Sequence, residues 1–215
     1  MHIIEPNKDI IGINRSIAER NKKHLESHNV YAINIMGAIG SGKTIMIEIL
    51  ADKLKNKLRI AAIAGDVVSD LDAKRIKKSG IKAIAVNTGT ECHLDAHLIE
   101  HAIEKLNLDK IDLLLIENVG NLICPTDFDL GAHKKVVVVS VTEGDDTIEK
   151  HPMIFVYADL CIINKIDIAG AVDADVEKMV DDAKSINPKI KIIKTSFKTG
   201  EGVSELVEWI MSNVD

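Results

Sequence analysis

The sequence predicts an α/β fold in three layers, with helices on both faces of a mostly parallel seven-stranded sheet. Three observations carry this. Short runs rich in Ile, Val, Leu and Ala recur along the 215-residue chain. The runs are continuous rather than alternating, as strands covered on both faces must be. Amphipathic stretches separate them, and aromatics make up only 3% of the chain, so the core has to be aliphatic. Alternating strand and helix implies parallel pairing through right-handed crossovers. Ligands of such folds bind beyond the carboxyl ends of the strands.

In chain order, the charged stretch Ile13–His28 is expected as an outer helix. Residues 1–29 then form an N-terminal helical extension packed on a single domain, 30–215. Strands are expected over Val30–Met36, Leu58–Ala64, Ile81–Val86, Ile111–Glu117, Lys135–Val141, Asp159–Asn164 and Lys189–Lys194. Helices are expected over Thr44–Lys55, Leu71–Ser79, Cys92–Leu106, Asp173–Ile186 and Val203–Ser212, the third opened by a capping box at Thr88-x-x-Glu91. The polar stretch Glu143–Pro152 is expected as an irregular functional loop.

Lys and Arg number 27 against 33 Asp and Glu, a net charge of −6. This argues against a broad nucleic-acid or anionic-membrane surface. A hydrophobic fraction of 46% argues against disorder. No apolar run approaches the roughly 18 residues of a membrane helix, and the start, Met1-His2-Ile3-Ile4-Glu5-Pro6, has no signal-peptide pattern. Three cysteines cannot all pair within one chain. A reduced, cytoplasmic compartment is therefore expected.

The first strand runs into Gly37-Ala38-Ile39-Gly40-Ser41-Gly42-Lys43-Thr44, a P-loop, which places the chain among P-loop NTPase folds. Its glycines let backbone N–H groups turn inward on phosphate oxygens, and the following helix adds its positive end. Lys43 is expected to bridge the β- and γ-phosphates and Thr44 to bind Mg²⁺. Acidic strand ends complete the metal and γ-phosphate end: Asp66, Asp70 and Asp72 after the second strand, and Glu117 after the fourth. Spacing does not choose among the three aspartates. Gly120 is placed to offer its N–H to the γ-phosphate.

Asn164-Lys165-Ile166-Asp167 follows the sixth strand, and Thr195-Ser196-Phe197-Lys198 ends the seventh. Asp167 can accept from N1–H and the 2-amino group of guanine. Adenine has neither donor and would leave the carboxylate unpaired. Asn164 is expected on the ring edge, the Lys165 stem over its face, and Ser196, Phe197 and Lys198 closing the pocket. GTP and GDP are thus the expected nucleotides.

Cys92-His93 and Cys124 flank this machinery. Thiolate and imidazole suit Zn²⁺, or Ni²⁺ or Cu²⁺ in planar geometry, and a helix start at Cys92 would favour its thiolate. The bland reading is that each cysteine is a small buried hydrophobe; Cys161, inside Leu160-Cys161-Ile162-Ile163, is read that way. His97 and His101 follow His93 on one helix face and could extend a metal site, although such histidines are more often satisfied locally.

Taken together, the P-loop, Glu91-Cys92-His93-Leu94-Asp95-Ala96, Glu117-Asn118-Val119-Gly120-Asn121-Leu122-Ile123-Cys124-Pro125 and Glu143-Gly144-Asp145-Asp146 resemble the HypB family over nearly the whole chain. These are GTP-dependent accessory proteins that insert nickel into [NiFe]-hydrogenase. The resemblance implies a SIMIBI-type G domain, the fold of signal-recognition and nitrogenase-iron-protein NTPases. It also implies a GTP-dependent homodimer and Ni²⁺ or Zn²⁺ on Cys92, His93 and Cys124. No arginine finger is evident in the sequence, so intrinsic hydrolysis is expected to be slow. Partners implied are the hydrogenase large subunit and a HypA-type nickel/zinc accessory protein, and Lys150 is a candidate contact to the other subunit's nucleotide. The related urease accessory GTPase UreG is the alternative, but the Cys-His pair with a distant Cys-Pro looks like HypB. A regulatory GTPase with structural cysteines, a small-molecule kinase and a metal-binding adaptor are the remaining readings.

Overall fold

Seven strands pair side by side, all parallel, in the computed structural model, which describes residues 6–67, 69–89 and 91–214. They are β1 (Tyr31–Met36), β2 (Ile60–Asp66), β3 (Lys82–Asn87), β4 (Leu113–Glu117), β5 (Lys134–Ser140), β6 (Leu160–Asn164) and β7 (Lys191–Lys194). Their order across the sheet is β3-β2-β4-β1-β5-β6-β7. β1 is paired with β4 on one side and β5 on the other, so its carboxyl end opens at the centre of the sheet.

Each strand pays into two cores, one per face. Ile33 and Ile35 of β1 point with Met46, Ile47, Leu50, Leu206 and Ile210 into the layer formed by α2 (Lys43–Leu54), α3 (Leu71–Lys78) and α8 (Val203–Val214). Ala32 points the other way, toward Leu25 of α1 (Pro6–Ser27) and Ile99 and Ile103 of α4 (Ala96–Ile103). On that same side Val137, Val139, Cys161 and Ile163 pack against α6 (Pro152–Val156) and α7 (Val176–Ile186). Cys161 is wholly buried, and burial pushes its thiol up to about 12.

The first helix starts at Pro6 rather than Ile13, and α6 was not expected; two further differences bear on the site. The helix placed over Cys92–Leu106 is only Ala96–Ile103. Asp95 is its N-cap, accepting from Leu98 N at 2.7 Å, whereas Thr88 spends its hydroxyl on the Glu91 carbonyl at 2.6 Å. Cys92 and His93 therefore lie in the bend before the helix, not on its first turn. Within Glu143–Pro152, expected to be irregular, lies a short helix α5 (Thr147–Lys150), preceded by a 3-10 turn Val141–Glu143. Ser140 and Glu143 cap that turn reciprocally. Among the described residues, no helix is long and apolar enough to cross a membrane.

Candidate nucleotide and metal site

The P-loop turns on glycines that nothing else could replace. Gly37 has φ 148° and Gly42 φ 114°. A Cβ on Gly37 would run into the Val138 carbonyl oxygen, and one on Gly42 into the Asn164 amide. Lys43, buried at the start of α2, donates to the Gly37 and Ala38 carbonyls, both at 2.9 Å. Burial lowers its ammonium pKa, with Glu117, Glu143 and Asp72 opposing. Ala38, Ile39, Gly40 and Ser41 complete the loop, and Ile39 stands 86% exposed at its tip.

Thr44 Oγ1 donates to Glu117 Oε1 at 2.8 Å and lies 3.2 Å from Asp72 Oδ1. Burial raises the Glu117 carboxyl to about 7, against the pull of Thr44 and Lys43. Its Oε2 is buried without a hydrogen-bond partner. Of the three aspartates that spacing left open, Asp72 is the one beside Thr44. Asp66 lines the same cleft and accepts from Val67 N at 2.6 Å. Asp70 turns to Lys74 at 2.8 Å. The cleft encloses about 470 Å³ and reaches from Lys43 and Thr44 past Glu117 and Gly120 to Cys92. Gly120 sits against Ile39 with no room for a Cβ.

Asn164 is a strut between loops. It donates to Ser41 O at 2.8 Å and accepts from Thr195 Oγ1 at 3.1 Å and Phe197 N at 3.3 Å. Lys165 adopts φ 64° and reaches Thr142 Oγ1 at 3.2 Å. Asp167, in the turn after β6, and Lys198, after β7, are exposed, while Ser196 is buried. Glu143 accepts from Ser140 N at 3.0 Å, and burial raises it to about 7. Lys150 pairs with Asp146 on its own helix turn.

Cys92, His93 and Cys124 each offer a ligand atom within 4.8 Å of the others, the one such group of His, Cys, Asp or Glu among the described residues. The two thiols are half-buried. The Cys92 thiol is raised, first by its hydrogen bond with Cys124 and then by burial; the lowering expected from a helix start does not occur, because the helix starts later. The mixed thiol and imidazole donors suit a borderline or soft divalent ion. His97 and His101 stay outside the group, their Nε2 atoms 3.2 Å apart on the exposed face of α4.

Sequence reasoning missed the residues that join these parts. Asn118, fully buried, accepts from Leu94 N at 3.1 Å, beside His93, and from Val119 N at 2.9 Å. Asn121 N donates to Gly37 O at 3.1 Å, and its side chain accepts from Ile123 N at 2.7 Å. Phe128 stacks on His93, ring centres 3.9 Å apart. The only advance signal was that both asparagines lie between Glu117 and Cys124.

Residues 31–194 match the family model described as CobW/HypB/UreG, nucleotide-binding domain. The chain is 58% identical over 212 residues to a probable hydrogenase maturation factor HypB of Methanocaldococcus jannaschii, covering 99% of this chain and 96% of that one. The Escherichia coli K12 hydrogenase maturation factor HypB is 41% identical, over 97% of this chain and 72% of its own. Among solved structures, HypB from Archaeoglobus fulgidus superposes with a TM-score of 0.90 at 54% identity, covering 95% of this chain and 100% of that one. HypB from Helicobacter pylori in complex with nickel gives 0.89 at 35%, covering 94% of each. The signal recognition particle receptor FtsY, at 15% identity and a TM-score of 0.56 over 85% of this chain and 65% of its own, shares the fold alone. With a P-loop, Glu117 and Asp72 beside Thr44 and a Cys-His-Cys group reached by the same cleft at Cys92, and with relatives this similar over nearly its whole length, the chain belongs to the HypB family of hydrogenase maturation factors.

Proposed function

We propose that this chain is a GTP-hydrolysing metallochaperone that carries Ni²⁺, or Zn²⁺, during [NiFe]-hydrogenase maturation, with GTP-dependent dimerisation as its switch. Residues 1–29 serve as an extension of a G domain over 30–215, acting in the cytoplasm; residues 1–5, 68, 90 and 215 lie outside the described residues. The P-loop N–H groups of residues 37–44 hold the phosphates, and Lys43 bridges the β- and γ-phosphates. Mg²⁺ neutralises charge on the phosphates when bound; Thr44, Glu117 and Asp66 are its holders, and the orphaned Glu117 Oε2 is an oxygen donor of the kind that ion takes. Asp72 orients the attacking water. Water adds to the γ-phosphorus as the bond to the β-phosphate oxygen breaks, giving GDP and phosphate. Gly120 N–H holds the γ-phosphate. Asp167 selects guanine, with Asn164 fixing its loop and Lys165, Ser196, Phe197 and Lys198 enclosing the base. Lys150 exchanges Asp146 for the nucleotide of the second subunit.

Cys92, His93 and Cys124 hold the cargo ion with a position left open for transfer. The hydrogenase large subunit and a HypA-type accessory protein are the exchange partners. One observation carries the reading: a single short stretch bears both the Glu117 carboxylate at Thr44 and the Cys124 thiol at Cys92. A γ-phosphate that shifts Glu117 and Gly120 thereby shifts Cys124, and the coupling must be reciprocal. Titrating Ni²⁺ and Zn²⁺ into protein loaded with GDP or a GTP analogue, with sedimentation of each state, tests it. Metal affinities differing by about fivefold or more between the two states are expected. Equal affinities, or no metal binding, would overturn the reading.

A further inference from the structure

Two buried asparagines of α1 hold the same two backbone segments. Asn14 accepts from Ala96 N through Oδ1 at 2.8 Å and donates through Nδ2 to Asp129 O, also at 2.8 Å. Two helical turns later, Asn21 donates to Ala96 O at 2.8 Å and to Leu130 O at 3.3 Å. The two are only 6% and 3% exposed. Ala96 comes just after His93, and Asp129 shortly after Cys124. Each carboxamide therefore spans from the limb that carries Cys92 and His93 to the limb that carries Cys124.

Further contacts fit this arrangement. Phe128, next to the Asp129 carbonyl that Asn14 grips, is the ring stacked on His93. Gly131, at φ +84°, brings the Cys124 limb so close to α1 that a Cβ would collide with the Ala18 carbonyl. Neither limb has regular structure of its own at the ligands. Cys92 and His93 lie in a bend, and Cys124 opens a single 3-10 turn. Loose limbs would charge the cost of ordering to metal binding, and partners outside the ligand set are the usual remedy.

We propose that α1 is a brace for the thiol–imidazole cluster, and that Asn14 and Asn21 are positioning residues that set the separation of its two limbs. This rests on the reading that Cys92, His93 and Cys124 hold a metal. An amide suits the task, since it offers donor and acceptor together and carries no charge that pH could remove. The rival account is that the asparagines only anchor α1; it predicts a lower melting temperature with metal binding untouched.

The test uses Asn14→Ala, Asn21→Ala and the double variant in the full chain, with Ni²⁺ alone as probe and its thiolate charge-transfer absorption as readout. Fluorescent GDP binding on the same preparations reports an intact P-loop. Arg20→Ala, which removes the exposed α1–Glu100 ion pair without touching either limb, is the control. Asn14→Asp keeps the acceptor for Ala96 N but loses the donor to Asp129, and serves if the double variant does not fold. Ni²⁺ affinity is expected to fall about 10–100-fold in the double variant. The charge-transfer band should weaken while GDP binding and the Arg20→Ala protein stay as wild type. Wild-type Ni²⁺ affinity and spectrum in the asparagine variants would overturn the brace, whatever their melting temperature. Failure of the wild-type protein itself to bind Ni²⁺ would instead remove the metal reading, and the brace with it.

Discussion

Replacing Glu117 by Gln should stabilise the metal-free, nucleotide-free protein, and more so as pH rises. The unfolded carboxyl ionises near 4.5, but in the fold burial holds it protonated to about 7. A folded pKa above the unfolded one favours the fold at low pH and costs it stability as pH climbs through the folded value. At roughly 1.4 kcal/mol per pH unit, the rise withholds about 3 kcal/mol from the ionised form. Gln does not ionise, so the difference between variant and wild type should grow from under about 1 kcal/mol at pH 5 to about 3 kcal/mol at pH 8. That figure is a ceiling, because Glu117 also supports the buried Lys43 ammonium. Glu143 is raised similarly but is present in both proteins, so it cancels. Urea denaturation in EDTA across this pH range reads the difference directly. A variant less stable than wild type at pH 8, or a gap that does not change with pH, would refute the placement of an ionisable carboxyl in a dry pocket beside Thr44.

Two further outcomes follow from the base and cargo ends. Asp167→Asn should move preference from GTP towards xanthosine triphosphate in competition binding, because the amide now donates where the carboxylate accepted; unchanged selectivity would break the base assignment. Ni²⁺ affinity should rise with pH by about tenfold or more per unit between pH 6 and 8, since the Cys92 thiol, raised by Cys124, must lose its proton to ligate. A flat profile would mean the thiols are not ligands.

The P-loop was legible because its demands are local. Gly37 and Gly42 are required by their own φ and by what lies where a Cβ would be, and the pattern names them at fixed spacing. The central strands β1, β2, β4, β5 and β6 were legible because burial on both faces leaves a continuous aliphatic run. The start of α4 was not, since Thr88 and Asp95 are both competent caps. Which one meets a free helix N–H depends on the path of the chain, and that path is bent by Asn118 pulling on Leu94 N and Asn14 on Ala96 N. Nor could spacing bring Cys92 to Cys124. Their approach depends on the order β3-β2-β4-β1, in which only β2 separates the strands that their two loops follow, and on the 3-10 turn that opens at Cys124.

Apart from Phe128, the residues that reading missed share one chemistry. Asn14, Asn21, Asn118 and Asn121 each bind backbone groups of a loop that carries a candidate site residue, as does Asn164, which the sequence did single out. A carboxamide substitutes for a stretch of backbone, so it can satisfy loops where no strand or helix does. It also does not titrate. The groups expected to do chemistry do titrate: Glu117 is raised to about 7 by burial, and the Cys92 thiol is raised by its neighbour. Had carboxylates or histidines tied the loops, every protonation step at the site would also loosen its frame. With amides in that role, charge can change at Glu117 or Cys92 while the hydrogen bonds that set the spacing between nucleotide and thiols stay made. Under the proposed function, protonation then alters what the ligands bind but not the frame that spaces them, and a nucleotide-driven switch for a thiol-bound ion requires such a frame.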